Sequence, residues 1–395
     1  MHLVFVTSLV PEGEPTTGYE IANHSLVDAL RRNGVRVTSI GFSWVGRTKQ
    51  SAGQSVILKE VDVRSETAGA SDKASWVVTA LTNSLTISSA KLRVVGEAEI
   101  RAALQRLEPF DGYVVNGVTL AGAFQGLFQD KPSLYVAHNV EFQSAEENAR
   151  SADSAIKRMF FRREAKLLRT LEITLTSRAA CTLALADEDR APLGVLGKDR
   201  SVVLPLVTNA RSADSSSPCA IEFDAGLIGT WTWQPNRVGL EWFLQEVVRY
   251  LPQDFRIGLA GHVPEAMKHL PAQVRLLGRV TDAAAFVQSC AVIPLVSRSG
   301  TGVQLKTIET FELGLPSVAT SHSLRGITGI PANCLVSDDP AAFANALVEQ
   351  AKAARSGQLA PADGEAFRKR QLALQDVAVR AAIRQLRLQL VRKAA

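Results

Sequence analysis

The chain has 395 residues, of which 46% are hydrophobic and 21% are charged, as is ordinary for a globular enzyme. This aliphatic content excludes a disordered chain, and the 27 glycines and 16 prolines show no period, which excludes collagen and coiled coil. Lys and Arg exceed Asp and Glu by 44 − 39 = 5 charges. So small an excess does not by itself indicate nucleic acid, and it fits a pocket for a phosphate-bearing ligand equally well.

Signals for metal binding, secretion and membrane spanning are weak. The four cysteines stand far apart without a C-x-x-C pair, so we expect reduced thiols and no metal site: Cys181, Cys219, Cys290 and Cys334. The apolar start lacks the basic region of a signal peptide and ends at Pro11. The longest uncharged stretch, 112–129, holds four glycines and polar side chains, which do not suit a spanning helix. We therefore expect a cytoplasmic protein.

The first half of the chain alternates strand and helix patterns. The apolar run HLVFVT (2–7) predicts a strand, and a helical pattern then ends at Asn33-Gly34, where glycine favours a left-handed cap. VRVTSIGF (35–42) predicts the next strand. Further buried strands are predicted at 113–117 and 133–139, which favours a parallel, doubly wound sheet. Residues 43–72 are harder to place, with one strand predicted at 56–63.

A Ser-rich stretch at 211–220 predicts a linker, after which the alternation restarts. The second half contains predicted strands at 225–230, 255–261, 274–278, 290–295 and 316–320, and predicted helices at 235–250, 282–289, 302–313 and 340–354. The chain ends in a basic, amphipathic helical pattern. Two α/β domains are therefore expected.

Two glycines separate a predicted strand from a predicted helix in SRSGTGVQLKTIETFELG (297–314). Gly300 and Gly302 let backbone N–H groups approach an anion, and the helix N-terminus adds a favourable dipole. Lys306 can reach a diphosphate as a point charge. Glu309 lies on the same helix face, where a carboxylate can accept both ribose hydroxyls of a nucleotide. The alternative is a plain strand-to-helix turn with a surface Lys–Glu pair.

The order and spacing of five segments resemble the nucleotide-binding half of the retaining group 1, or family 4, glycosyltransferases of the GT-B fold. The segments are LLGRVTD (276–282), AVIPL (291–295), Gly300-x-Gly302-x-x-x-Lys306-x-x-Glu309, GLPSVAT (314–320) and Arg325-Gly326. The first half resembles the family more loosely, through Gly18 in the first loop, the segment LVDALRRNGVRVTSI (26–40) and AHNVE (137–141), and the resemblance is weakest over 43–110.

The resemblance implies an α/β protein with two doubly wound parallel-sheet (Rossmann-like) domains facing across a cleft. Residues 1–205 would bind the acceptor, and residues 215–370 would bind a nucleotide-sugar. The C-terminal helix, 371–395, would cross back onto the first domain. The donor site would include Gly18, Arg237, Gly261, Arg279, Gly300, Thr301, Gly302, Lys306 and Glu309.

Two departures from the family pattern concern the donor site. Thr301 stands where many members carry the first of two acidic residues, so it cannot supply a carboxylate to the donor sugar. The segment GTWTWQPNRVG (229–239) replaces an Arg and a Lys of many members. In it, Arg237 contacts phosphate or lies on a solvated helix face, and Trp231 and Trp233 pack near the nucleotide or cover the sheet edge.

His138 is predicted at the carboxyl end of a strand, the edge where ligands bind in open α/β sheets. The resemblance places a His of this loop beside the transferred sugar, where it bonds a hydroxyl or assists proton transfer; the alternative is a structural strand cap. Glu141 follows in the same loop and either orients His138 or binds the acceptor. His138 and Lys306 are the predicted catalytic residues.

The segment 156–169 carries six basic side chains and a partial apolar stripe. It predicts either a peripheral membrane or lipid-diphosphate face, or an ordinary core-facing helix with a solvated basic side. No segment interleaves aromatic and basic residues as nucleic-acid modules do.

We therefore expect a metal-independent glycosyltransferase that needs no cofactor and moves a sugar from a nucleoside-diphosphate sugar to a glycan or lipid-linked acceptor hydroxyl. Its location would be the cytoplasm, at the inner membrane face if the basic helix binds lipid. The alternatives are a nucleotide-sugar-binding protein without turnover, suggested by Thr301, and a GT-B nucleotide-sugar epimerase. The donor base, the sugar, the acceptor and the linkage stay open at this level.

Overall fold

The computed structural model describes residues 1–15, 17–46, 55–62, 68–210, 220–267 and 269–394. The predicted linker at 211–220 falls outside this part of the chain, except for Ala220. The described chain divides into two compact units, the first of Met1–Leu206 with Leu372–Ala395, and the second of Val207–Gln371. Each unit contains its own parallel sheet, which confirms the predicted fold class.

In the first unit, seven described strands pair in the order β3-β2-β1-β4-β5-β6-β7, and all neighbours run parallel. The strands are β1 (His2–Leu9), β2 (Arg36–Trp44), β3 (Ser55–Val61), β4 (Gly112–Asn116), β5 (Ser133–Ala137), β6 (Cys181–Ala184) and β7 (Ser201–Val203). The helices are α1 (Gly18–Arg32), α2 (Ala70–Thr82), α3 (Ile87–Ala90), α4 (Glu97–Leu107), α5 (Thr119–Ala123), α6 (Glu141–Arg150) and α7 (Ala155–Arg178).

In the second unit, six described strands pair in the order β10-β9-β8-β11-β12-β13, again all parallel. The strands are β8 (Phe223–Ile228), β9 (Ile257–Ala260), β10 (Val274–Gly278), β11 (Cys290–Leu295), β12 (Ser317–Ala319) and β13 (Cys334–Val336). The helices are α8 (Gln234–Trp242), α9 (Ala283–Gln288), α10 (Leu305–Glu312) and α11 (Pro340–Arg355).

The last helix, α12 (Gly364–Ala394), continues beyond the second unit and joins the first. Its Gln375 side chain is buried and donates to Ser25 Oγ at 3.0 Å and to the Pro205 carbonyl at 2.9 Å. Arg32 donates to the oxygen of the same amide at 2.6 Å. These bonds satisfy a buried polar group and attach the end of the chain to the first sheet's helices.

The strand order reverses once in each sheet, between β1 and β4 in the first and between β8 and β11 in the second. At such a switch point the connections leave toward opposite faces, and a crevice opens at the carboxyl ends of the strands. The residues that follow β1, β4, β8 and β11 are therefore where the fold itself favours ligand binding.

Two helical regions differ from the sequence expectations. The helix predicted at 235–250 ends as α8 at Trp242 and continues through a π turn and a 3-10 turn to Tyr250. Helices α2 to α4 occupy 70–107, for which the sequence made no helix prediction. In α2 only Ala80 is buried, so its sequence does not show the periodic apolar spacing that predicts a helix with one buried face. No helix in the described part of the chain combines the length and apolarity that crossing a membrane requires.

Candidate functional site

In the second unit, the carboxyl ends of β8 and β11 converge on Lys306 of α10. The Lys306 ammonium lies 4.9 Å from the centre of the Trp231 ring, and that ring is fixed because its Nε1 donates to the Ala260 carbonyl at 2.8 Å. A β-carbon at Gly229 would lie 3.0 Å from Nζ, so a larger residue there would crowd the ammonium. Within the described residues, Nζ makes no hydrogen bond or ion pair, which leaves it available to a ligand.

Partial burial perturbs both charged groups that the sequence singled out on α10. Burial lowers the pKa of Lys306 to about 8, and the nearby Glu309 charge only partly offsets this. Burial also raises the pKa of Glu309, with a further contribution from Glu312 and an opposing one from Lys306. The alternative of a surface Lys–Glu pair would require an ion pair between Lys306 and Glu309. Among the described residues no such ion pair is present. Trp231, Lys306 and Glu309 line one pocket.

Glycines in the loops that precede α10 and follow β9 adopt backbone conformations that side chains disfavour. Gly300 and Gly302, in the loop before α10, have φ angles of +94° and +78°, and Thr301 between them is buried. Gly261, after β9, has φ +105°, and a β-carbon there would collide with the Gly229 carbonyl oxygen. The left-handed region favours glycine, so the backbone beside Lys306 stays free of side chains.

The two predicted arginine contacts are less closely associated with this pocket. Arg237 of α8 is half-buried and lies 3.7 Å from Glu241 one turn along the same helix, and it also donates to Gln234. Arg279 is exposed after β10, the edge strand of the sheet, two strands away from β8. Its neighbour Gly278 accepts the Gly261 backbone N–H at 2.7 Å, so Arg279 lies next to the Gly261 loop, whereas Lys306 and Glu309 line the pocket with Trp231.

In the first unit, His138 follows β5 and is held by Asn116 at the end of β4. The distance from His138 Nε2 to Asn116 Oδ1 is 2.7 Å. The Asn116 amide nitrogen donates toward three oxygens, Thr7 Oγ1 at 3.1 Å, Tyr19 OH at 3.1 Å and Asn23 Oδ1 at 2.7 Å. This network assigns the amide oxygen to the His138 side, so Nε2 carries the proton and Nδ1 is left as an acceptor. Burial lowers the pKa of His138 to about 4, which keeps the ring neutral at pH 7.

A small pocket of about 60 Å³ lies beside His138. Tyr19 forms one wall, with its ring centre 5.0 Å from that of His138. Glu141, the first residue of α6, forms another, and its carboxylate accepts a hydrogen bond from Asn139 Nδ2 at 3.1 Å. Burial raises the pKa of Glu141, although this hydrogen bond lowers it. The pocket therefore presents a neutral imidazole acceptor, a phenol and a carboxyl group.

A buried carboxylate fixes the backbone below this pocket. Glu172 of α7 is 0% exposed and accepts the backbone N–H groups of Glu141 and Phe142, each at 2.9 Å. These are N–H groups of the first turn of α6, which have no partner within the helix. Burial raises the pKa of Glu172 to about 8, against the effect of the two hydrogen bonds. Glu172 thereby determines where α6 begins and where Glu141 stands.

The sequence singled out His138 and Glu141 but missed the residues that hold them. Tyr19, Asn116 and Glu172 had no motif of their own, although Asn116 closes a predicted strand, where ligand residues are expected. Gly18, predicted at the donor site, is the exposed first residue of α1 in the first unit, after the capping residue Thr17. The other predicted donor residues lie in the second unit.

In the described part of the chain, no cluster of three His, Cys, Asp or Glu side chains is placed to hold a metal ion. Cys181, Cys290 and Cys334 are buried free thiols, and Cys219 falls outside that part. The expectation of metal independence therefore stays a prediction about the reaction.

Residues 222–352 match the family described as "Glycosyl transferases group 1". This segment holds Trp231, Lys306 and Glu309. No curated protein sequence matches the chain significantly. The matched family supports a glycosyltransferase.

Solved structures that resemble the chain include three from GT-B glycosyltransferases. Sucrose-phosphate synthase from Thermosynechococcus elongatus has 16% identity and a TM-score of 0.63, with 99% of each chain covered. Anabaena HepE in complex with UDP and glucose has 12% identity and a TM-score of 0.59, covering 99% of this chain and 100% of HepE. WaaG, a glycosyltransferase involved in lipopolysaccharide biosynthesis, has 14% identity and a TM-score of 0.54, covering 96% of this chain and 94% of WaaG. At these identities the likeness shows the fold.

Proposed function

We propose that the chain is a retaining, metal-independent glycosyltransferase that moves a sugar from a nucleoside-diphosphate sugar to an acceptor hydroxyl, in the biosynthesis of a cell-surface glycan or polysaccharide. The observation that carries this proposal is the Lys306 ammonium. Within the described residues it is half-buried and unpaired, and it lies beside Trp231 and the bare backbone of Gly229. It also lies inside the segment that matches the group 1 glycosyltransferases.

The second unit would bind the donor. A departing nucleoside diphosphate carries negative charge, and Lys306 would neutralise it with help from the amides of Gly300 and Gly302 and from the N-terminus of α10. Glu309, three residues further on the same helix, would accept the ribose hydroxyls. Preorganised positive charge in a partly buried site acts strongly on a developing anion, so this chemistry does not call for a metal ion.

The first unit would bind the acceptor. Because His138 is neutral and its Nε2 proton is directed at Asn116 Oδ1, its Nδ1 can accept a hydrogen bond from a sugar or acceptor hydroxyl. Glu141 stands in the same pocket and would bind a second hydroxyl. Such a neutral imidazole orients a hydroxyl without adding a positive charge near it.

Donor binding and turnover are tested separately. UDP-, GDP- and ADP-sugars are screened by thermal shift, since a ligand that binds the folded state raises its stability. UDP-sugars come first because the similar structure of HepE holds UDP and glucose. Lys306→Ala and Glu309→Ala should each weaken nucleotide binding at least about fivefold, whereas Lys352→Ala, an exposed lysine of α11, should leave it unchanged. Equal affinity in all three variants would refute the site.

Turnover distinguishes the alternatives. Donor hydrolysis or transfer, followed by NMR of the anomeric product, should show retention, and EDTA should leave the rate unchanged. Tight binding without release of nucleoside diphosphate under any acceptor would instead favour a nucleotide-sugar-binding protein. Conversion of the donor to its epimer would favour the epimerase.

We also propose that the protein works at the inner face of a membrane. Support comes from the start of α7, where Ile156 and Met159 are 77% and 70% exposed among the basic side chains of Lys157, Arg158 and Arg162. An ordinary core-facing helix would bury these apolar residues. Basic clusters with exposed apolar side chains are attracted to anionic leaflets.

A further inference from the structure

The first unit contains a cavity of about 630 Å³ between α7 and the strands β4 and β5. Parallel strands are usually joined by a crossover of about a dozen residues or more, most of it helical, which covers the sheet face. Here α5 has only 5 residues, and the stretch 124–132 after it contains neither helix nor strand. Part of the sheet face therefore stays uncovered, and the cavity occupies that place.

The α7 wall of this cavity is mainly hydrocarbon. Three half-buried leucines follow at four-residue spacing on one helix face: Leu167, Leu171 and Leu175. Thr170 and Thr174 also line it, but their hydroxyls donate to the backbone carbonyls of Lys166 and Thr170 at 3.1 and 2.7 Å. Because these donors are already used, the α7 wall suits a hydrocarbon chain, whereas the remaining lining includes polar side chains such as Gln125, Gln129 and Gln389.

The charged side chains that line the cavity are all cationic, namely Lys131, Lys166 and Arg178, and no Asp or Glu stands among its described lining residues. Lys131 is paired with Glu108 at 3.3 Å. In the described chain, the side chains of Lys166 and Arg178 have no hydrogen bond or ion pair. They are twelve residues apart on α7, or about 18 Å. An elongated ligand with an anionic group complements this lining.

Exposed apolar side chains lie near one part of the cavity lining. Ser84, which lines the cavity, follows α2 closely, and Arg163 of α7 holds this loop by donating to the carbonyls of Ala80 and Leu85 at 2.7 and 3.0 Å. Val78 and Leu81 of α2 are 59% and 56% exposed. Together with the exposed start of α7, they place an apolar surface at the same end of the cavity as Lys166.

We propose that this cavity binds the hydrocarbon chain of a lipid phosphate drawn from a membrane surface, with the phosphate at Lys166, and that this lipid carries the acceptor group. Tyr135 lines both the cavity and the pocket at His138, so the two are adjacent. The inference rests on the proposed function, because it names the acceptor class for that pocket.

The test measures binding of dodecyl phosphate to the full chain by calorimetry, below the concentration at which it forms micelles. Dodecyl maltoside supplies the same chain with a neutral head, and inorganic phosphate supplies the anion alone. Dodecyl phosphate should bind at least about tenfold more tightly than dodecyl maltoside or inorganic phosphate. Only dodecyl phosphate can both bury its chain against the leucines of α7 and pair its phosphate with Lys166. Lys166→Glu should weaken its binding about fivefold or more, and Thr174→Trp, which fills the cavity, should abolish it.

Lys352→Glu is the control, since this lysine is exposed on α11 and does not line the cavity. This variant should bind dodecyl phosphate like the unmodified protein. Equal binding of dodecyl phosphate and dodecyl maltoside would overturn the proposal, as would equal losses in the Lys166 and Lys352 variants. Absence of dodecyl phosphate binding in a protein that still binds nucleotide would refute this inference alone, whereas loss of nucleotide binding concerns the proposed function.

Discussion

The depressed pKa of Lys306 makes nucleotide binding pH-dependent in a defined range. With a pKa of about 8, the free lysine is about nine-tenths protonated at pH 7 and about one-tenth protonated at pH 9. A bound diphosphate favours the ammonium and holds it protonated over this range. By linkage, the dissociation constant of the nucleotide should rise about tenfold between pH 7 and pH 9, a range in which the terminal phosphate is already ionised.

Calorimetry of nucleoside-diphosphate binding at half-unit pH steps measures this dependence. Lys306→Arg is the matched variant, because the guanidinium stays charged throughout. Its affinity should be weaker at pH 7, owing to its different shape, but nearly flat up to pH 9. A pH dependence of equal slope in both proteins would refute the reasoning, since another group would then be responsible.

The same depressed pKa has a consequence for stability. Between pH 8 and 10.5 the unfolded chain retains the Lys306 proton while the folded chain has released it, so this group's contribution to stability rises with pH in that interval. Lys306→Met should therefore raise the melting temperature of the ligand-free protein at pH 7 and abolish the shift that nucleotide produces. A lower melting temperature would show that the ammonium has a stabilising partner.

Three further substitutions test the framework of the two pockets. Asn116→Asp should raise the pKa of His138 well above about 4, because a carboxylate 2.7 Å from Nε2 favours the imidazolium. NMR titration measures the pKa of His138, and an unchanged value would contradict the assigned contact. The pKa of Glu172 is raised to about 8 on folding, so its contribution to stability is lost as the pH rises from 4.5 to 8. In urea unfolding, the Glu172→Gln variant should therefore lose less stability between pH 5 and pH 8 than the unmodified protein. Parallel curves of unfolding free energy against pH would refute this. Gly261→Ala should lower the free energy of unfolding by about 1–3 kcal/mol more than Gly278→Ala. Both positions have positive φ, but only Gly261 lacks space for a β-carbon. Equal losses of unfolding free energy in the two variants would contradict the crowding at Gly261.

The order of elements in each half followed from local chemistry. Runs such as YVVNG at β4 and AVIPL at β11 are apolar throughout because both faces of a parallel sheet are covered. The helix with Lys306 was predicted at 302–313 and observed at 305–312, because glycines before it and Gly314 after it limit where a helix can continue. Lys306 and Glu309 share a helix face by spacing alone, so their proximity needed no tertiary information.

Other features depend on contacts between residues far apart in the chain. Asn116 meets His138 because β4 and β5 are neighbours in register, and Glu172 reaches the start of α6 because α7 packs back along it. The pKa values of Lys306 and His138 are shifted by burial, which no local pattern records. The sequence by itself thus determined the two parallel α/β halves and the candidate lysine, since periodicity and glycine spacing are local. Only the tertiary structure decided which neighbours desolvate and orient those groups, because burial arises from segments that the chain brings together in folding.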